Sequence, residues 1–436
     1  MGKVHDAGSN ALMSNVDKLI LCHLCCSIIW PEAGLHELLI YGLSLEIWLL
    51  VISDISEICK VLKENAIMSD TEMSTGFHIQ HKFESTDTTF VFESESSLLP
   101  GLPDDVAKHC LALVPRADFQ SLGSVCKRWR QFIQTKEFSV SRKLAGSMEE
   151  WLYVLTKNEG TGRNYWQVFN SVKAKWQSLP PMPGPAKTGF SFVVIDGKLL
   201  VMAGLFENDI GIAIPSADVY KYESALNMWS KLPNMKVARY DFACAAVDGL
   251  VYVVGGHGVG GETLSSVEVY DPRKNHWTLI ESLRRPRWGC FACGLEGRLY
   301  VMGGRSSLMI GYSRCIDVYN PSSHRWDEMK NGCAMVVANA VLDSSLFCIE
   351  WKNDRQLAIF SAPDSSWKRI PVPLVGSMSV NFCFGILNRK LLLFSTKNDP
   401  YYKTLVYDPQ AVPGSEWKTT DIRPLGTCLC SVTITA

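Results

Sequence analysis

The chain shows almost no bias of charge: 43 basic side chains stand against 44 acidic ones, for a net charge of −1. That balance argues against general attraction to nucleic acid or to an anionic membrane surface. Long apolar runs are also missing. The best stretch, Leu38 to Ile52, contains Gly42, Ser44 and Glu46. As a helix it would reach about 22 Å, whereas a bilayer span takes about 20 apolar residues, and a charge in mid-span is unfavourable. No small-residue cleavage site of a signal peptide accompanies it. A membrane anchor is therefore not expected. Histidine is scarce, 9 in 436 residues, which leaves little for a metal centre. Cys22/Cys25 and Cys290/Cys293 have C-x-x-C spacing, but no second pair stands at the distance of a zinc site. Cys290 and Cys293 fall on a predicted strand, where residues three apart face opposite ways. The remaining cysteines of the 15 are scattered, often between apolar neighbours, as at Cys244, Cys348 and Cys383. They read as reduced, buried thiols of a cytoplasmic or nuclear protein.

What is present is the composition of a globular chain, 47% hydrophobic and 20% charged, long enough for two or three domains. Residues 1–67 form an atypical apolar segment. They are either part of the native protein or sequence upstream of a native start at Met68. Residues 68–97 hold 17 Ser, Thr, Asp and Glu among 30, too little apolar surface to offset ordering entropy, so a disordered tail is expected. Residues 98–138 turn helical. Pro103-Asp104-Asp105 opens a helix in which Val106, Cys110, Leu113 and Val114 recur at helical spacing, and Pro115 stops it. A short segment with Phe119 and Leu122 follows. Ser124 is placed to cap a third helix, with Val125, Trp129, Phe132 and Ile133 along one stripe. A unit of this size is weakly stable alone, so its apolar surface calls for a partner. Residues 139–150 read as a short linker that limits the orientations of what it joins.

From 151 to 436 the pattern is period-2 strands. Tryptophans recur at Trp176, Trp229, Trp277, Trp326, Trp367 and Trp417, spaced by 53, 48, 49, 41 and 50 residues. Seven residues before the first five stand Phe169, Tyr222, Tyr270, Tyr319 and Phe360. Tyr407 precedes the sixth by ten. Hairpin turns fall at Asp196-Gly197, Asp248-Gly249, Glu296-Gly297, Asp343-Ser344 and Asn388-Arg389. Ala203-Gly204, Gly255-Gly256 and Gly303-Gly304 end the next strand. Each unit reads as four strands. In the third they are Phe242–Val247, Leu250–Val254, Ser266–Tyr270 and His276–Ile280. One such sheet cannot bury both faces, and radial stacking can, which predicts a six-bladed β-propeller. The first unit lacks an innermost strand. Cys428–Thr435 is an alternating strand with no unit after it, and it is expected to complete that first blade and close the ring.

Two resemblances follow from these residues. The double glycines, aromatics and tryptophans resemble kelch motifs, with the third and fourth units matching best. The segment Leu102-Pro103-Asp104-Asp105-Val106, with Val125-Cys126-Lys127-Arg128-Trp129-Arg130 and Ile133, is similar to an F-box. The whole resembles the plant F-box/kelch-repeat family. The fold class implied is mostly β: a kelch propeller preceded by a small all-α F-box domain and a disordered or atypical N-terminal segment. The resemblance implies a non-catalytic substrate receptor of a Skp-cullin-F-box ubiquitin ligase, with a Skp-type adaptor and through it a cullin as partners. Leu102, Pro103, Val114, Val125, Cys126 and Trp129 would face the adaptor; alternatively they pack on one another. A kelch scaffold without ubiquitin transfer is the second reading.

In kelch propellers the loops between second and third strands share a face with the links between blades. Here that face would carry Lys187, Arg239, Tyr240, His257, Arg287, Trp288 and Arg305. Lys187, Arg239 and Arg287 occupy equivalent places in successive units. Three cations at one mouth would favour an acidic or phosphorylated peptide; alternatively each pairs with a neighbouring loop carboxylate. Tyr240 and Trp288 are typical anchors of a protein partner. Gly256-His257-Gly258-Val259-Gly260-Gly261 fits G-x-G-x-x-G, but a strand and not a helix follows, so a nucleotide loop is not expected and the glycines would shape a flexible connection. Some kelch propellers belong to copper oxidases and sugar-processing enzymes. This one offers only His257, His276 and His324, the last two in what reads as equivalent turns before Trp277 and Trp326. No metal, cofactor or catalytic set is assigned.

Overall fold

The computed structural model describes residues 98–99 and 102–436, apart from 307–308, 331, 333–335, 353, 376–380, 398 and 400. The expectations for residues 1–67 and 68–97, and for Cys22/Cys25, lie outside the described residues. The chain divides into two compact units, Met1–Met148 and Glu149–Ala436.

In the first unit, α1 (Asp104–Leu113) begins after Pro103, with Asp104 and Asp105 in its first turn. It ends where Val114, preceding Pro115, turns extended, the conformation a following proline imposes. A 3-10 turn (Arg116–Asp118) leads into α2 (Phe119–Val125) and α3 (Lys127–Phe132). Ser124 does not cap α3. Its hydroxyl donates to Ser121 O, and the Cys126 sulfur accepts from the Trp129 amide at 3.4 Å. The first half of the expected linker belongs to a fourth helix, α4 (Lys136–Leu144), capped by Thr135. Its Phe138 packs edge-on against Phe119 and Phe132, with centroids 5.3 and 5.4 Å away. Its Arg142 is buried, and Nη1 donates to Ala112 O at 2.7 Å and Val114 O at 2.6 Å. A cation thus satisfies the carbonyls left open at the end of α1.

Among the described residues the second unit forms six antiparallel sheets, five of four strands and one of five. Blade 1 contains β1 (Glu150–Lys157), β2 (Asn164–Asn170) and β3 (Lys175–Ser178). Blade 2 contains β4 (Ser191–Ile195), β5 (Lys198–Glu207), β6 (Ala213–Glu223) and β7 (Met228–Leu232). Blade 3 contains β8 (Ala243–Val247), β9 (Leu250–Val254), β10 (Val267–Asp271) and β11 (His276–Ile280). Blade 4 contains β12 (Trp288–Leu295), β13 (Arg298–Ser306), a short added β14 (Met309–Tyr312), β15 (Ile316–Asn320) and β16 (Arg325–Met329). Blade 5 contains β17 (Val336–Leu342), β18 (Ser345–Lys352), β19 (Asp354–Ser361) and β20 (Ser366–Pro371). Blade 6 contains β21 (Phe382–Leu387), β22 (Lys390–Ser395), β23 (Thr404–Tyr407) and β24 (Trp417–Thr420). The last strand, β25 (Thr427–Thr435), pairs with β1 and supplies the innermost strand of blade 1, as its alternation predicts.

The repeated residues have one job each. At the hairpins both central residues have positive φ, 49° and 76° at Asp248-Gly249, the geometry that suits tight antiparallel turns. Each aromatic lies beside its tryptophan across the last two strands, as at Tyr270–Trp277 with centroids 5.1 Å apart and Tyr407–Trp417 at 5.0 Å. The indole N–H then reaches back: Trp229 donates to Pro180 O, Trp277 to Pro233 O and Trp326 to Glu281 O, at 3.0, 3.0 and 2.9 Å. The cores lie between blades. Tyr252 of blade 3 packs with Tyr319 and Trp326 of blade 4 in one cluster. Cys290 and Cys293 of β12 face opposite ways, Cys290 into that cluster and Cys293 into the next.

Candidate functional site

The described part of the first unit presents a patch around the start of α1 and α3. Pro103 and Cys126 are exposed, and Leu102, Val125 and Trp129 are half-buried. Trp129 Nε1 donates to Leu98 O at 2.7 Å, and the Leu98 amide donates to Asp104 Oδ1 at 3.1 Å, which ties α3 to the head of α1. Val114 does not belong to this patch. It is 4% exposed, inside the small core beside Arg142. The helical stripe is correspondingly Ala107, Cys110, Leu111 and Val114, not one through Leu113.

In the second unit the seven expected residues separate into two layers. Lys187, Arg239 and Arg287 lie inside the blades, 5%, 0% and 3% exposed. Arg239 Nη2 sits 2.7 Å from Glu268 Oε1, and its Nη1 donates to Gly255 O and Ser266 O. Glu268 also accepts from the amides of Lys236 and Val237, at 2.6 and 3.1 Å. The pair therefore pins the link between blades 2 and 3. Arg287 Nη2 lies 2.7 Å from Asp317 Oδ2, but no hydrogen is aligned on that oxygen. Burial accordingly wins and raises the Asp317 carboxyl above its ordinary value, against the pull of Arg287. Lys187 Nζ reaches Asp218 Oδ2 at 3.2 Å and Ser216 Oγ at 2.9 Å, over the Tyr220 ring. Burial pushes Asp218 up, yet hydrogen bonds from Lys231, Lys187 and Ser216 outweigh it and hold the group at about 2.

The expectation that these three cations offer charge at a channel mouth is thus corrected. A guanidinium without water and with a carboxylate at contact distance has no field left for a peptide. Their partners come from the third strand of each blade, not from loops. The signal in the sequence was an acid between core residues: Val267-Glu268-Val269 and Ile316-Asp317-Val318. In blade 2 that position is Tyr220, in register opposite Lys231.

Above this layer the other four residues meet. The Tyr240 and His257 rings lie 5.1 Å apart and tilted by 32°; His257 and Trp288 lie 4.7 Å apart at 38°. The Arg305 guanidinium sits 5.9 Å from the Trp288 ring. Tyr240, His257 and Trp288 are half-buried and Arg305 is exposed, so the stack runs from blade 3 to blade 4 with its edges open. The backbone holds it rigidly: Tyr240 and His257 exchange both amide bonds, at 3.1 and 2.8 Å. His257 Nδ1 faces Gly261 O at 3.1 Å; a carbonyl only accepts, so the proton is on Nδ1.

The glycine-rich loop is a tight turn and not a flexible one. Gly258 N donates to Glu262 O, and Gly260 N to the Glu262 carboxylate at 2.8 Å. A Cβ on Gly256 would stand 2.6 Å from Tyr240 O, so the first part of the motif allows close backbone approach. The three histidines are not in comparable places. His257 is in the stack and His276 is on β11. His324 takes the left-handed turn position that Asn275 and Asn227 hold in blades 3 and 2, where each meets the tyrosine hydroxyl. Among the described residues no group of three or more His, Cys, Asp or Glu is placed to hold a metal ion, and no helix is long and apolar enough to cross a membrane.

Comparison with known proteins bears on both units. Residues 99–141 match the F-box domain, and residues 238–284 and 286–332 match the Kelch motif. The F-box/kelch-repeat protein At1g67480 of Arabidopsis thaliana is 58% identical over 342 residues, covering 78% of this chain and 91% of that protein. The chain belongs to the plant F-box/kelch-repeat family. The putative F-box/kelch-repeat protein At1g27420 of the same plant is 37% identical over 79% of this chain and 99% of its own length. An F-box implies binding of a Skp-type adaptor, and F-box/kelch-repeat proteins are in general non-catalytic.

Proposed function

We propose that this F-box/kelch-repeat protein is the substrate-recognition subunit of a Skp-cullin-F-box ubiquitin ligase, acting in the cytoplasm or nucleus. Leu102, Pro103, Val125, Cys126 and Trp129 dock the adaptor. The Tyr240–His257–Trp288–Arg305 stack holds the target protein. The carrying observation is that stack: rigid aromatic edges beside one exposed guanidinium make an anchor for a protein surface and hold no group arranged for bond making. The three buried cations fix the backbone beneath it and take no direct part in capture.

Capture assays separate the two surfaces. With a purified Skp-type adaptor, the full chain is retained, and Leu102→Ala combined with Pro103→Ala lowers retention at least about tenfold. Tyr240→Ala combined with Trp288→Ala leaves adaptor retention unchanged and removes target proteins from a proximity-labelling profile. A wild-type chain that ignores the adaptor sinks the ligase reading and favours a scaffold. An unchanged profile in the aromatic variant sinks the assignment of the target site.

A further inference from the structure

The glycine-rich turn of blade 3 has a counterpart in blade 2, and both carry bare aliphatic side chains. In blade 2 the turn covers residues 208–212: the Asn208 amide donates to Ile212 O at 3.0 Å and the Gly211 amide to Asn208 O at 2.9 Å. In blade 3 it covers residues 258–262 with the same two bonds, Gly258 N to Glu262 O at 2.9 Å and Gly261 N to Gly258 O at 3.1 Å. The fourth residue is in each case a left-handed glycine, Gly211 at φ 76° and Gly261 at φ 75°. A side chain then ties each turn from within. Asn208 Oδ1 accepts from the amides of Ile210 and Ile212, at 3.2 and 2.8 Å. The Glu262 carboxylate accepts from Gly260 N at 2.8 Å and folds into the space that a Cβ on Gly258 would occupy. The run of glycines thus makes room for a carboxylate of its own loop.

Little of the main chain at these tips is left for a partner, so what they present is side chain. Ile210 is 77% exposed, Ile212 54% and Val259 73%. A single exposed aliphatic needs no explanation, but these stand on two stiffened turns of neighbouring blades, on one face. A stiff turn loses little conformational entropy when its side chains are covered. The same face holds the aromatic stack. His257 belongs to the blade 3 loop, with its ring against Gly261 O. Arg239, which precedes Tyr240, is bonded through its main chain to both sides of the blade 2 hairpin: Gly204 N donates to Arg239 O, and Arg239 N to Ser216 O. From that rung the hairpin runs on to the pair Glu207↔Ala213, about 10 Å further. Its end carries exposed carboxylates at Glu207 and Asp209, whereas the far end of the stack carries the exposed guanidinium of Arg305.

We propose that Ile210, Ile212 and Val259 form an aliphatic grip beside the aromatic stack, and that the target segment held there has an apolar centre, a basic residue on the blade 2 side and an acidic residue on the blade 4 side. This assignment rests on the proposed capture of the target at the stack. The three aliphatics cover the apolar centre. The carboxylates of Glu207 and Asp209 meet the basic residue, and Arg305, beside Trp288, meets the acidic one. A wholly acidic segment would meet like charge at Glu207 and Asp209, which disfavours it. Asn208 and Glu262 are positioning residues, which hold the tips without touching the target.

The experiment uses the full chain and a displayed library of random peptides. Peptides selected on wild type are synthesised with a fluorescent label, and their Kd is measured on wild type and variants. Selection is expected to enrich a large aliphatic or aromatic residue between a basic and an acidic one. Ile210→Ser combined with Val259→Ser should weaken binding at least about tenfold, while the unfolding midpoint stays unchanged because both side chains stand in water. Glu207→Lys combined with Asp209→Lys should weaken it about fivefold, and that loss should vanish for peptides whose basic residue is replaced by alanine. Glu262→Ala unties the blade 3 turn with Val259 in place and should weaken binding about threefold; Glu262→Gln, whose amide oxygen still accepts from Gly260, should not. Peptides that bind the serine variant as tightly as wild type overturn the proposal, as does a selection that yields wholly acidic sequences or none. Tyr240→Ala combined with Trp288→Ala separates the grip from the stack. Loss in that variant with none in the serine variant removes the grip and keeps the stack; the converse keeps the grip and removes the stack.

Discussion

At the scale of single residues the buried pairs decide the outcome. Arg239 and Glu268 are both fully buried, and Glu268 accepts two backbone amides besides the guanidinium. Arg239→Ala leaves a carboxylate in a dry interior and is expected to destabilise the propeller by about 3–5 kcal/mol. An apolar pair often replaces a buried ion pair without loss. Here it should not, because Arg239→Met with Glu268→Leu orphans the amides of Lys236 and Val237, at about 1–3 kcal/mol each. Urea unfolding of the single and double variants checks both statements. A double variant as stable as wild type would show that the amides find other partners. Cation spacing by itself showed only that Lys187, Arg239 and Arg287 hold equivalent places in successive units. Whether they faced water or a carboxylate depended on the acids of the third strands, which no local pattern ties to them.

At the scale of the element, the strand ends show how similar motifs carry different loads. Gly255 and Gly303 are the first glycines of two double-glycine pairs, with φ of 64° and 67°. A Cβ on Gly255 would lie 2.2 Å from Arg287 O, whereas one on Gly303 would meet only the Phe291 ring at 3.7 Å. Gly303→Ala should therefore cost only its left-handed backbone, roughly 1–2 kcal/mol. Gly255→Ala must also displace the backbone under Trp288, and should lose several times more. Thermal unfolding of the two variants tests the contrast; equal losses would mean that the blade 3–4 link yields. Blade 2 already lives with the substitution, since Ala203 occupies the same place at φ 55°. The helices show the opposite case. The apolar spacing of α1 was legible only in part, since Cys110 and Val114 are buried but Val106 and Leu113 are not, and α4 was not legible, because its buried face is Phe138 and Arg142, and an arginine does not read as core.

At the scale of the molecule, the ring is held by the nine residues of β25. β25 gives blade 1 its innermost strand and takes hydrogen bonds to blade 6. A chain ending at Gly426 would leave the inner edges of β1 and β21 without that neighbour, and open edges recruit other chains. We expect such a truncation to be aggregated or larger than monomeric by size-exclusion chromatography, while β25 supplied as a separate peptide restores part of the monomer. A monodisperse truncated chain would mean that five complete blades and a three-stranded one close without it.

Local periods and spacings were enough to determine the four-stranded unit, its sixfold repetition, the closing strand and the helical start after Pro103, because each rests on residues near in sequence or on a repeated interval. Side chains from different blades meet only once twist and closure set their distances. Tertiary structure alone therefore decided that three cations are buried against carboxylates, and that Tyr240, His257, Trp288 and Arg305 stack.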